Sequence, residues 1–240
     1  MTIFDRIRKS AKLLSRRKFA RAALWHRIAA AVEHLEVIEL TAAATLVDIG
    51  ANKGQFSLAF HQSRPKAKII SFEPLPDAAN RYAHLFAGIS TVTLHRVALS
   101  DVASTAVFHV TDRKDSSSLL KPGAGQQAAF GVSEATSISV PVERLDARVT
   151  VGDLVHPVLI KIDVQGAELK ALQGCADLER ADFIYVELSF VELYENQPLF
   201  SDVTIYLIGR GFTLAGVFNQ VSTVAFGPTQ ADFLFKRTVA

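Results

Sequence analysis

The chain is poor in the residues that staple, ligate or anchor a fold. Its 240 residues include one cysteine, Cys175, one methionine and one tryptophan. A single cysteine closes no intramolecular disulfide, and no cluster of Cys and His has the spacing of a structural zinc site, so a reducing, cytoplasmic setting is expected. No apolar run reaches the roughly 18 residues of a membrane-spanning helix, and no long apolar stretch with a small-residue cleavage site follows Met1. Neither membrane spanning nor secretion is therefore expected. The seven histidines, His26, His34, His61, His84, His95, His109 and His156, show no metal-ligand spacing and no nucleophile partner.

What the chain has is apolar mass. At 49% hydrophobic residues it can bury the core of one large α/β domain with a short accessory segment. The formal net charge of +2 hides an asymmetry. Residues 1–27 carry nine Lys or Arg against one acid, Asp5, which leaves 17 basic and 23 acidic groups over residues 28–240. Such a basic amphipathic stretch suits a solvated helix packed by its apolar side, a targeting peptide, a peripheral contact with the inner membrane surface, or a nucleic-acid contact. Ile3, Ile7, Leu14, Leu24, Ile28, Val32, Leu35 and Ile38 recur mostly at helical spacing, so residues 1–40 are expected to form two or three helices ahead of a domain at 41–240.

From there strand and helix signals alternate. Strands are expected at 45–48, 68–72, 92–98, 106–110, 137–142, 158–163 and 183–188, and helices at 53–62, 77–86, 167–173 and 201–209. Residues 144–149 read as a helix start. Residues 112–136, rich in Ser, Gly, Ala and Gln, read as a long loop of the kind that serves as a lid. Residues 212–218 and 232–236 are two strands too close for a crossover helix and should pair antiparallel. The pattern predicts a mostly parallel sheet with one reversed strand at or near its end.

Ligands of open α/β sheets sit beyond the carboxyl ends of the strands, so the residues just after strands carry the functional reading. In VDIGANKGQF, Gly50 and Gly54 permit a tight turn and close backbone approach, while Asp48 and Asn52 offer hydrogen-bonding groups. Glu73, in ISFEPLP, closes the next strand, where a carboxylate can accept both hydroxyls of a ribose. A dinucleotide enzyme shares this topology, but an acid entering the turn repels pyrophosphate and suits the cationic methionine end of S-adenosylmethionine. In VALSD, Leu99 and Ser100 can border an adenine and Asp101 can bond its exocyclic amine, although a plain Ser/Asp turn explains this piece equally well.

The fourth segment, IKIDVQGAEL, sets Lys161 within an apolar strand, Asp163 at its end and Glu168 in the first turn of the next helix. Glu168 and Lys161 also have structural readings, as a helix-start acid and as the partner of a neighbouring carboxylate. Asp163 is expected at the mouth of the sheet, with Glu187 of FIYVELS at the end of an adjacent strand. Two such carboxylates can bind a divalent cation, take a proton from an acceptor hydroxyl, or anchor substrate hydroxyls.

Taken in order, LVDIGANKGQFS, ISFEPLP, VALSD, SSSLL, VERLDA, IKIDVQGAEL and ADFLFKR resemble the FkbM family of methyltransferases over residues 45–237. The resemblance implies a class I, Rossmann-like methyltransferase fold at 41–240: a seven-stranded sheet with its last strand antiparallel. It implies S-adenosylmethionine as methyl donor, S-adenosylhomocysteine as product and O-methylation of a sugar, glycan or natural-product hydroxyl. The family pattern often has an acid where this chain has Gln165. On this reading Asp163 is the first candidate base and Glu187 the second, Lys161 supports them, and Ser116, Ser117, Ser118 and Glu168 belong to the acceptor side or its lid. An RNA methyltransferase and a cofactor-binding scaffold without turnover are the competing classes. No basic, aromatic-interleaved surface follows through the body, which weighs against nucleic acid.

Overall fold

The computed structural model describes residues 28–238. The basic segment of residues 1–27, with most of the helices expected before residue 40, lies outside the described residues. Ahead of the first strand the described residues form a 3-10 turn, Val32–His34, and helix α1, Leu35–Thr41. Val32, Val37 and Ile38 pack into the same apolar cluster as Leu58 and Phe60 of the domain.

The domain is built on strands β1 (Thr45–Ile49), β2 (Lys68–Phe72) and β3 (Val92–His95). Helices α2 (Gln55–Ser63) and α3 (Pro76–Leu85) connect them. After an excursion the sheet resumes with β7 (Val158–Ile162), helix α5 (Glu168–Gln173), β8 (Phe183–Ser189) and helix α6 (Phe200–Gly209). It ends in the hairpin β9 (Phe212–Thr223) and β10 (Gly227–Arg237). The strand order is β3-β2-β1-β7-β8-β10-β9, with β10 antiparallel to both its neighbours and the other pairings parallel. The single reversed strand is thus the last in sequence and next to last in space.

Every residue of β1 and β7 is buried, as expected of central parallel strands covered on both faces. Alternation sends Val47, Ile160 and Val186 to the face covered by α5 and α6, and Leu46, Leu159 and Tyr185 to the face covered by α1 and α2. The chain leaves β1 for β2 and β3 on one side and returns to β7 on the other. The carboxyl ends of β1 and β7 therefore flank the point where the sheet changes direction, and a cleft opens there.

Three expectations need correction. The strand foreseen at 92–98 stops at His95, and Ala98–Leu99 (β4) turns away to pair with β6 (Glu134–Glu143), which also pairs antiparallel with β5 (Ser104–Thr111). The turn takes Ala98 and Leu99 to the cleft wall. The loop foreseen at 112–136 contains a 3-10 turn, Lys114–Ser116, and helix α4, Ala124–Phe130. Its seven residues are two turns, too few for a periodic signal, and it is held by tertiary bonds, Gly123 N–H to the Leu193 carbonyl and Glu195 N–H to the Lys121 carbonyl, each 2.9 Å. Residues 144–149 form only a 3-10 turn, Leu145–Ala147.

Candidate active site

Two cavities open at the strand ends. The first runs between the β1 turn, Glu73–Leu75, Val97–Leu99 and Phe108, with Ser117 and Leu119 above it. The second, about 530 Å³, lies between the β1 turn, the Ile28–His34 stretch and α4. Gly50, Asn52, Asp115, Asp163 and Gln165 line both, so the cavities meet where β1 and β7 end.

The β1 turn owes its shape to Gly50. With φ at 76° it has the left-handed backbone that favours glycine, and a Cβ there would fall 1.9 Å from the Asp163 carbonyl oxygen. The turn therefore lies directly on the end of β7, where Asp163 N–H donates to the Ile49 carbonyl at 3.1 Å. Asp48, expected to meet the ligand, is fully buried and lines neither cavity. Its Oδ2 accepts from Ser57 at 2.6 Å, and its Oδ1 faces the Lys161 ammonium at 3.4 Å.

Lys161 reaches from Asp48 to Asp163 Oδ2, 3.7 Å away, and donates to the Gly50 carbonyl at 3.1 Å. Burial by itself would lower its pKa, but the two carboxylates outweigh burial and hold it above the ordinary value. It is a fixed cation on the wall of the second cavity, tying the β1 turn to the end of β7.

Glu73 lies on the first cavity as foreseen. Its Oε2 accepts from Asn52 N–H at 2.8 Å and its Oε1 from Leu75 N–H at 2.7 Å, and burial raises its pKa to about 7 against those two bonds. Each oxygen keeps a lone pair for a further donor. Leu99 lines the same cavity, with Val97 and Ala98. Ser100 and Asp101 line neither cavity and bond each other instead, Ser100 Oγ to Asp101 Oδ1 at 2.9 Å. A buried carboxylate at one end of a largely apolar slot fits a ribose diol and an adenine ring.

Asp163 and Glu187 meet at the junction, joined by one amide: Gln165 Nε2 donates to Asp163 Oδ1 and to Glu187 Oε2, each at 2.8 Å. Gln230 Nε2 donates to Glu187 Oε1 at 2.6 Å. Burial pushes the Glu187 carboxyl well above the ordinary carboxylate range, and the charges of Asp163 and Asp232 push the same way. Among the described residues Asp163 has an ion-pair partner in Lys161, whereas Glu187 has none.

The serine cluster divides. Ser116 lines the second cavity and Ser117 the first, while Ser118 is fully buried and donates to the Val164 carbonyl at 3.2 Å. Glu168 lines neither cavity; its Oε1 accepts from Gly166 N–H at 2.9 Å and Val164 N–H at 3.3 Å, fixing the turn after Asp163. Burial raises its pKa to about 7. Asp115, Tyr194, Gln126 and Gln230 are contributions that the sequence reading missed. Only Asp115 carried a local signal, as the neighbour of the serines. Among the described residues no group of three or more His, Cys, Asp or Glu is disposed to hold a metal ion.

Known proteins resemble the chain in sequence and in fold. The chain is 36% identical over 160 residues to the 2-O-methyltransferase NoeI of Sinorhizobium fredii, a match covering 63% of this chain and 66%, just under two thirds, of that protein. It is 27% identical to the 31-O-demethyl-FK506 methyltransferase FkbM of Streptomyces tacrolimicus, over 74% of this chain and 75% of that one. Its fold is shared with a candidate rRNA methylase of Clostridium thermocellum, at a TM-score of 0.50 and 11% identity over 86% of this chain and 96% of the other. The Methyltransferase FkbM domain matches residues 48–214, from the buried Asp48 through both junction carboxylates and into β9. The chain belongs to the FkbM family of methyltransferases.

Proposed function

We propose that the protein transfers a methyl group from S-adenosylmethionine to a hydroxyl oxygen of a sugar, glycan or hydroxylated natural product, with Asp163 as the base. The observation that carries this is the meeting of the two cavities at Asp163. The first cavity takes the nucleoside, with Glu73 on the ribose and Leu99 beside the base; the second takes the acceptor. The donor supplies an already activated methyl.

The residues of this chain orient the acceptor oxygen, exclude water and receive the hydroxyl proton at the Asp163 carboxylate. Lys161 keeps that carboxylate paired and the β1 turn in place. Asp48 acts through Lys161 and Ser57, as a positioning residue. Glu187, favoured in its neutral form, keeps a second negative charge away from the base.

The acceptor wall favours a donor-rich ligand. Among the described residues, Gln55 Oε1 and Gln126 Oε1 are buried without hydrogen-bond partners on the lining of the second cavity, beside Asp115 and Glu187. A polyol supplies hydrogens to such a wall, and an apolar ligand leaves it unsatisfied. The name of NoeI supports O-methylation and that of FkbM supports a natural-product acceptor as the alternative within the same chemistry.

Transfer of labelled methyl into a panel of glycan precursors and hydroxylated metabolites, with and without a chelator, tests the reading. Incorporation into a hydroxyl is expected. Donor binding with no transfer to any member would mark a scaffold, and transfer to RNA alone would overturn the acceptor class.

A further inference from the structure

Gln165 holds a left-handed backbone, with φ at 56°, a strained conformation for a non-glycine residue. Its side chain gives that strain a purpose. The amide nitrogen has two hydrogens and two acceptors, Asp163 Oδ1 and Glu187 Oε2, both at 2.8 Å. Turning the amide over would set its oxygen against both carboxyl groups, so the nitrogen faces the pair. Behind it, Gln165 Oε1 lies 2.9 Å from the Tyr194 hydroxyl. That hydroxyl is also 2.7 Å from the Ser116 carbonyl and receives Gln126 Nε2 at 3.0 Å. Gln165 lines both cavities.

We propose that Gln165 is a positioning residue whose amide clasps Asp163 and Glu187 at the cavity junction, holding the two carboxyl groups at a fixed spacing. This rests on Asp163 being the base. The charged and titratable groups around the pair are Lys161 on β7, Asp48 on β1, Tyr185 on β8, Asp232 on β10, Glu168 on α5, Tyr194 and His34 of the 3-10 turn. None of them bridges the two carboxyl groups; the amide does. Without it, two carboxyl groups face each other with no donor between, and removing the second proton becomes harder.

The test is carboxyl carbon-13 NMR titration of the full-length protein bound to S-adenosylhomocysteine, with the pair assigned through Asp163→Asn and Glu187→Gln. In Gln165→Met the upper midpoint of the pair should rise by about one pH unit. In Gln165→Glu, which adds a third carboxyl group, it should rise further. The fall of kcat at higher pH on any accepted hydroxyl compound, which follows that upper midpoint, should move up with it. The kcat of Gln165→Met should fall about a hundredfold while KM for S-adenosylmethionine stays within about twofold.

A Met variant that no longer binds S-adenosylhomocysteine is replaced by Gln165→Gly, which suits the backbone. Unmoved midpoints, or a Met variant with full kcat, overturn the clasp and leave the base reading standing. A wild-type kcat without an acidic limb overturns the base reading, and the catalytic purpose of the clasp falls with it.

Discussion

Asp163 follows β7, Glu187 lies near the end of the neighbouring β8, and the two share one hydrogen-bond donor, yet their surroundings differ. Asp163 lines both cavities and sits 3.7 Å from an ammonium; Glu187 lines only the second cavity. Asp163→Asn, which keeps the shape and loses the base, is expected to lower kcat by about 10² to 10⁴, with donor affinity by calorimetry little changed. Glu187→Gln mimics the neutral acid that burial favours. Its turnover near pH 7 should stay within about threefold of wild type. The wild-type rate should fall as pH rises through the elevated Glu187 pKa, and the Gln variant should not show that fall. Both acids were legible in the sequence because they fall at or near the carboxyl ends of apolar strands, where the topology places ligands. Gln126 and Tyr194 were not, because a polar residue in an aperiodic stretch gains its role only when distant segments meet.

At the scale of elements, the β1 turn and α4 show opposite kinds of legibility. The turn was readable because glycines punctuate the end of an apolar strand, although the partner that demands Gly50, the Asp163 carbonyl, is more than a hundred residues away. Gly50→Ala forces that carbonyl off or the turn open. Loss of donor binding and a stability loss of more than about 2 kcal/mol in chemical denaturation are expected. Helix α4 was hidden, since two turns in a Gly- and Ala-rich stretch look like loop. It rests on the Glu192 backbone so closely that a Cβ on Gly125 would lie 2.0 Å from the Glu192 oxygen. Gly125→Val should therefore lift α4, raise KM for the acceptor by about tenfold and leave KM for the donor near its wild-type value. Equal rises in both constants would show that α4 does not belong to the acceptor side.

For the whole molecule, the parallel order and the closing hairpin followed from alternating signals and from two strands with no room for a crossover. The second sheet of β4, β5 and β6 did not, because its pairing is decided by where the chain must pass the cleft. The fold also buries acids that titrate near neutrality. Glu168 is raised from 4.5 to about 7, so its stabilising neutral form is fully present below the unfolded pKa and is lost as pH rises through the folded one. The change across that window is on the order of 3 kcal/mol. Glu168→Gln, whose amide oxygen can still accept the Gly166 and Val164 N–H groups, should raise Tm at pH 8 by several degrees and leave it unchanged near pH 4.5. A Tm gain of the same size at both pH values would mean that packing, not ionisation, sets the effect.

Glu73 adds something of another kind. Burial raises its carboxyl to about 7, while its free lone pairs await the ribose hydroxyls, which favour the ionised form. Near neutral pH about half of the molecules must give up a proton as the nucleoside enters. Donor binding is then a protolytic event, and the heat measured in Tris and in phosphate should differ by about half the difference in the two buffers' ionisation enthalpies.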